Sequence, residues 1–447
     1  MFTLQHSAGA RPRRRRGIAA AVIALVAASA LAACSTATPG AAGTASGAPA
    51  KGPKVSGSLT VSFLSGQAYI DDAISSFKAQ NPGLTVQTTQ AVSNTYQPQI
   101  RAQLDAKHAP DVMFVWGGSG NAMATKILAE AGELQSLQSS PWVKTVGSTA
   151  NSLVTYNDKV YALNSFQNPT GVEYNTDLMK KLKVHVPTTF SEMLDFCQTV
   201  SSKGIVPIAI GAQTGYLSTE VPLELANTLV YSKDPKFAQH LADGSVKWST
   251  SKLWKNSLTT ALKQYVKMQD AKCFQDNPTG YSDAAADQLV ASGKALGVDI
   301  IGSNLPTLKQ DAPSLNFDMY SLPATENASD TVLTLNTGAA WGVAASTDNK
   351  KAAVAFVNYM GQPDQLAAAA KANFGVPYTP TSSTKMQPEM KGVEKQYLSN
   401  KVALWQTNFW PGYQVKQTMI AECQNLLVGK QTVQGVVDAI QKSLGDS

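Results

Sequence analysis

The sequence predicts an α/β protein built from about two packed domains. Short apolar or alternating segments that read as strands take turns with longer segments whose apolar residues recur at helical spacing. Roughly 390 residues lie beyond an N-terminal region that is too polar or too short to pack, enough chain for about two hydrophobic cores. Charged residues make up 15% of the chain and hydrophobic ones 43%, so the apolar surface to be buried is ample.

The N-terminal region explains itself as a targeting segment. Arg11 and Arg13 to Arg16 precede the apolar run Ile18 to Ala32, which is too short for a comfortable membrane span and ends in small residues. Leu31-Ala-Ala-Cys34 resembles the bacterial lipobox, in which the cysteine is acylated and becomes the first mature residue. Residues 1–33 are therefore expected to be a lipoprotein signal peptide and Cys34 a membrane anchor, with export by the general or the twin-arginine route left open. Residues 34–57 are rich in Gly, Pro, Ser and Thr with hardly a side chain to bury, and read as a flexible tether. The chain carries 37 basic and 31 acidic residues, but five arginines fall in the leader, leaving 32 against 31. A near-neutral mature protein gives no reason to expect nucleic acid or an anionic membrane surface as partner.

The body follows in order. Leu59, Val61 and Phe63 alternate as in a strand, and Ile70, Ala73, Ile74 and Phe77 take helical spacing until Asn81-Pro-Gly83 stops the helix. Leu84 to Thr88 reads as the next strand and Val112 to Val115 as a short, fully apolar one of the kind a parallel sheet buries. Thr189 and Glu192 have the spacing of a capping box, ahead of Phe190, Met193, Leu194 and Cys197 on one helix face. Ala353, Phe356, Val357 and Met360 repeat the helical pattern, as do Val433, Val436, Val437, Ile440 and Leu444.

Several local phrases carry a resemblance. Asn81-Pro-Gly-Leu-Thr-Val86, Ala109-Pro-Asp-Val112, Asn157-Asp-Lys-Val-Tyr-Ala-Leu163 and, above all, Gly171-Val-Glu-Tyr-Asn-Thr-Asp177 continued through Val186-Pro-Thr-Thr-Phe-Ser-Glu192 resemble the extracellular sugar-binding proteins of ABC importers, the family of maltose-binding protein. Asp348 to Met360 and Leu427 to Lys430 resemble its later helices. The resemblance implies a periplasmic-binding-protein-like fold: two α/β lobes joined by hinge strands, with a ligand cleft between them. Lobe I is expected at 58–163 and 325–373, lobe II at 164–324 and 374–447. It also implies a monomeric, lipid-anchored receptor outside the cell, a carbohydrate ligand, permease subunits as partners, and no cofactor.

A sugar presents C–H faces and a rim of hydroxyls, so its receptor should offer aromatic plates and convergent polar groups. Trp116 and Gly117 follow an apolar strand, at the edge where open α/β sheets bind ligands. By resemblance, Trp410 in Phe409-Trp410 is the stacking tryptophan. Trp341, in a Gly-rich turn, and Gln67 and Tyr69, at a helix start, are further candidates, as are Tyr216, Asp299 and Asn304 in lobe II. Cys197 reads as a buried thiol, and an oxidising compartment permits a bridge between Cys273 and Cys423. His108, His185 and His240 are isolated from one another and from the cysteines, so no metal site is expected.

Two other function classes fit the residues less well. An anchored hydrolase lacks the phrases G-x-S-x-G and H-E-x-x-H, and Ser75-Ser-Phe-Lys78 fits S-x-x-K only inside a helix without its companion motifs. A receptor for a charged solute such as a phosphate ester or polyamine would call for a cluster of arginines or carboxylates, which the candidate residues lack.

Overall fold

A computed structural model of the protein describes residues 54–445 apart from 243 and 379–383. The leader, Cys34 and most of the tether lie outside the described residues.

In chain order the strands are Gly57–Leu64 (β1), Leu84–Ala91 (β2), Val112–Val115 (β3), Thr155–Tyr156 (β4), Lys159–Val160 (β5), Ala162–Asn164 (β6), Gln167–Asn175 (β7), Val206–Ala209 (β8), Ala295–Ile301 (β9), Phe317–Tyr320 (β10), Leu333–Thr337 (β11), Ala340–Val343 (β12) and Val402–Leu404 (β13). They build two main sheets. The first has the order β2-β1-β3-β12-β6, with β1, β2 and β3 parallel and β12 antiparallel to both its neighbours. The second has the order β13-β11-β7-β9-β8, with β10 also paired to β7. The small hairpin of β4 and β5 stands apart.

The expected side-chain patterns are what place these elements. Leu59, Val61 and Phe63 are buried in β1, and Ile70, Ala73, Ile74 and Phe77 turn the helix Ala68–Gln80 onto that sheet. All nine residues of β7 and all seven of β9 are buried, because helices and loops cover both faces of the second sheet. The helix Phe190–Ser201 starts as its sequence predicts: the Thr189 hydroxyl accepts from the Glu192 N–H at 3.2 Å. The Glu192 carboxylate reaches one residue further back than a standard capping box, accepting from the N–H and hydroxyl of Thr188.

Each sheet has its own core, and among the described residues the chain passes between them three times: at Ser165–Phe166, at Gly338–Ala339 and at Phe374–Gly375. The second passage corrects the boundary drawn at 325. Segment 325–337 stays with the second sheet, where β11 pairs with both β7 and β13. The backbone is tied at the crossings, Ser165 N–H donating to the Ala339 carbonyl and Gly338 N–H to that of Phe166, each at 2.9 Å.

The cysteine expectation is also corrected. Cys197 is bridged to Cys273, with Cα atoms 4.7 Å apart, and Cys423 is a free, buried thiol. The reason lies in β8: Ile208 N–H donates to the Cys273 carbonyl, which draws the loop after helix Lys252–Asp270 alongside the sheet and under Cys197. That spacing suits a disulfide. Among the described residues, no helix is long and apolar enough to cross a membrane.

Candidate functional site

A cleft of about 980 Å³ lies between the two sheets. Its walls come from corresponding places in the topology. Lobe I contributes the segments after β1 and β3, namely Ser65 to Gln67 and Trp116 to Gly117. Lobe II contributes the segments after β8, β9, β11 and β13, together with the start of β7. Carboxyl ends of strands face the cleft from both sides, as open α/β sheets dictate.

Trp116 is half-buried and held firmly. Its carbonyl accepts from the N–H and hydroxyl of Thr125 at 2.7 and 2.9 Å, and its ring sits edge-on to Phe114, centroids 4.7 Å apart. The glycines that follow serve close approach. A Cβ on Gly118 would lie 2.0 Å from the Asn408 carbonyl oxygen, and one on Gly120 1.7 Å from that of Thr407. Between them Ser119 donates its N–H to the Asn408 carbonyl at 3.1 Å and its hydroxyl to the Trp410 carbonyl at 2.6 Å. Lobe I therefore rests on the lobe II backbone just beyond Trp116.

On the lobe II wall, Lys416 holds its ammonium 5.7 Å from the ring centre of Trp405 and 5.9 Å from that of Tyr216. Burial pushes the Lys416 pKa down, opposed by the charge of Glu220. Among the described residues it forms no salt bridge, whereas the other cation of the cleft, Arg101, is paired with Glu133 and Asp105. Several cleft residues keep buried polar atoms without a hydrogen-bond partner among the described residues: Asn168 Oδ1, Asp287 Oδ1, Thr337 Oγ1, Trp405 Nε1 and Asn408 Nδ2. At the mouth, Val92 from lobe I is 63% exposed and Tyr413 from lobe II 46%, among the few large apolar side chains left in solvent.

Of the residues singled out in the sequence, Trp116, Gly117, Gln67, Tyr216 and Asn304 line this cleft. Four others do not, and are corrected. Trp410 is fully buried in the lobe II core, and Trp341 is fully buried in β12 between Phe63 and Phe114, because its strand is the fourth of five in the sheet. Tyr69 faces the lobe I core from the first turn of its helix. Asp299 is buried within β9, behind the wall, beside Glu224 and Glu220.

Sequence reasoning missed Trp405, Lys416, Phe166 and the amides of Asn168, Asn336 and Asn408. For Trp405 a signal existed: Val402-Ala-Leu404 is a short apolar strand followed at once by a tryptophan, as Val112 to Val115 is by Trp116.

The buried acids of lobe II have a consequence for pH. Burial raises the carboxyls of Glu173, Glu220, Glu224 and Asp299 above their ordinary range, like charges adding to the rise for all but Asp299, and it raises Asp287 to about 7. A folded-state pKa above the unfolded one means that the native protein keeps protons the unfolded chain has released. Stability should therefore fall as pH rises from about 5 to 7, by about 1.4 kcal/mol per pH unit for each such proton. Urea unfolding midpoints measured across that range should decline; a flat or rising profile would show these acids to be ionised in the folded state.

The family of bacterial extracellular solute-binding proteins matches residues 72–394. A multiple sugar-binding protein of Streptococcus mutans is 23% identical over 296 residues, 66% of this chain and 68% of that protein. Among solved structures, a sugar transporter protein of Bacillus licheniformis in complex with stachyose is similar with a TM-score of 0.67 at 17% identity, over 86% of this chain and 99% of that one. An ABC transporter solute-binding protein of Thermotoga lettingae bound with α-D-tagatose is similar with a TM-score of 0.67 at 17% identity, over 87% and 99%. At such identities the structural likeness speaks for the fold.

Proposed function

We propose that this chain, which belongs to the bacterial extracellular solute-binding protein family, captures a carbohydrate between its lobes by hinge closure and presents it to the permease of an ABC importer. The observation that carries this reading is the composition of the cleft. Aromatic rings at Trp116, Trp405 and Tyr216 share it with amides at Gln67, Asn168, Asn336 and Asn408, contributed by both lobes. Rings suit the C–H faces of a sugar and amides its hydroxyls. Buried polar atoms left unpaired cost about 1–3 kcal/mol each, and hydroxyls brought in by a ligand offer them partners. The apolar mouth formed by Val92 and Tyr413 extends the contact surface beyond a single ring, which favours an oligosaccharide. The relatives' own ligands, stachyose in one and tagatose in the other, support a saccharide and leave its length to experiment.

In this reading Trp116, Gly117, Gln67, Tyr216 and Asn304 are ligand contacts, joined by Trp405 and Asn408. The protein acts as a monomer and binds without turnover, consistent with a family of binding proteins. Cys34 is the acylated anchor that keeps a capturing protein beside its transporter; its exchange for alanine should move the protein from the membrane fraction to the medium.

A thermal-shift screen of the mature protein tests the ligand class. A sugar at about 100 times its dissociation constant adds about 2.7 kcal/mol of stability, readily read as a raised melting temperature. Lys416, a cleft cation with no salt bridge among the described residues, favours as second reading a solute with an acidic group. The screen therefore includes a uronic acid and a sugar phosphate beside neutral mono- and oligosaccharides. If only acidic compounds shift the transition, the neutral-sugar reading is wrong.

A further inference from the structure

All three passages between the lobes meet at one aromatic ring. Phe166 lies in the first, is 2% exposed, and lines the cleft. Gly338 lies in the second, and a Cβ there would stand 2.5 Å from both Cδ2 and Cε2 of Phe166 and 2.6 Å from its carbonyl oxygen. Gly375 lies in the third, and its Cβ would stand 2.4 Å from the same Cδ2, 2.9 Å from the Gln167 carbonyl oxygen and 3.1 Å from Cε2. Neither glycine holds a positive φ, so each is required by space and not by backbone conformation. The backbone closes the arrangement: Gly338 N–H donates to the Phe166 carbonyl at 2.9 Å, and Gln167 and Val376 exchange two hydrogen bonds of 2.8 Å.

We propose that Phe166 is a positioning residue that couples occupancy of the cleft to the angle between the lobes. Its ring is a wedge whose Cδ2–Cε2 edge is gripped by the second and third crossings, while its own backbone is the first. Rotation of one lobe against the other changes the dihedrals of these few crossing residues. Close-packed groups shift between discrete arrangements and do not deform smoothly, so the crossings cannot turn without re-seating the ring. A ligand that packs against Phe166 in the cleft holds the ring in the seat belonging to one lobe angle, and in doing so selects that angle. The inference rests on the hinge-closure reading above.

The test measures the interlobe distance in the full-length protein, with spin labels on azide-bearing side chains at the exposed positions Asp71 in lobe I and Lys255 in lobe II. Gly375 does not line the cleft, so Gly375→Ala removes no ligand contact. It is expected to displace the ring and shift the unliganded distance by more than about 2 Å, the scale of a domain rearrangement. Phe166→Ala should broaden the distribution, and in the double variant Phe166→Ala with Gly375→Ala the shift should shrink, since the ring, the nearest group to the new methyl, is gone and the Gln167 carbonyl oxygen at 2.9 Å is left. Gly338→Ala, which meets the same ring edge, gives the second reading should Gly375→Ala fold poorly. An unshifted distance in both glycine variants, or a shift of undiminished size in the double variant, overturns the proposal. Failure of the closure reading shows separately, as a wild-type distance that a saturating saccharide from the screen leaves unchanged.

Discussion

Replacing Cys197 and Cys273 together by alanine is expected to lower the unfolding free energy by about 2–5 kcal/mol, the usual cost of losing a native disulfide. The bridge spans a sequence separation of 76 residues. In the chain-entropy account a loop of that size lies between the values for 15 and 100 residues, about 3 and 4.7 kcal/mol. The enclosed segment holds β8 and the helices Glu220–Tyr231 and Lys252–Asp270, which form a large part of the lobe II core, so loosening it exposes much apolar surface. Both sulfurs belong to fully buried residues, so mild reductant should leave the native protein intact and act only once it unfolds. Cys423→Ala is the control, since it removes a small buried side chain and no cross-link. Urea midpoints with and without reductant measure the effect. Equal midpoints for wild type and double variant, or a peptide map joining Cys273 to Cys423, would refute the pairing.

That pairing shows which kind of information the chain displays openly. Helices and strands were legible because each writes its own period: Ile70, Ala73, Ile74 and Phe77 announce a buried helix face wherever that face ends up. The aromatic edge at Trp116 was legible for a similar reason, since an apolar strand followed by Trp-Gly-Gly is a local signal. What stayed hidden depends on elements meeting from far apart. Three cysteines in the folded body permit three pairings, and only the Cys273 carbonyl's bond to β8 decides among them. The sheet that Leu333–Thr337 joins is chosen by β7, far before it in the chain, and by β13, far after it. Asp299 sits in Val298-Asp-Ile300, and its burial follows from β9 being covered on both faces. Lys416 projects from the helix Tyr413–Leu427, and its meeting with Trp405 and Tyr216 is a tertiary event with no counterpart in spacing.

The tryptophans give the sharpest contrast between a residue that holds the fold and one offered to a ligand. Trp410 is fully buried among lobe II side chains, so Trp410→Ala should leave a cavity and cost about 3–5 kcal/mol of stability. Its link to lobe I runs through its backbone carbonyl, which accepts from Ser119 and survives the substitution, so affinity at temperatures well below the new melting point should change little. Trp116 is half-buried, with its ring braced by Phe114 and Tyr96 at the cleft edge. Trp116→Ala removes a plate a sugar can cover, worth on the order of 1–3 kcal/mol of binding by the area it would bury. That corresponds to about five- to 150-fold weaker binding, with a much smaller effect on melting than Trp410→Ala because part of the ring is already in solvent. Melting curves and titrations with the best saccharide from the screen, run on both variants, should give opposite patterns. Wild-type affinity in Trp116→Ala would remove it from the site, and a Trp410→Ala protein that melts normally but no longer binds would return Trp410 to it.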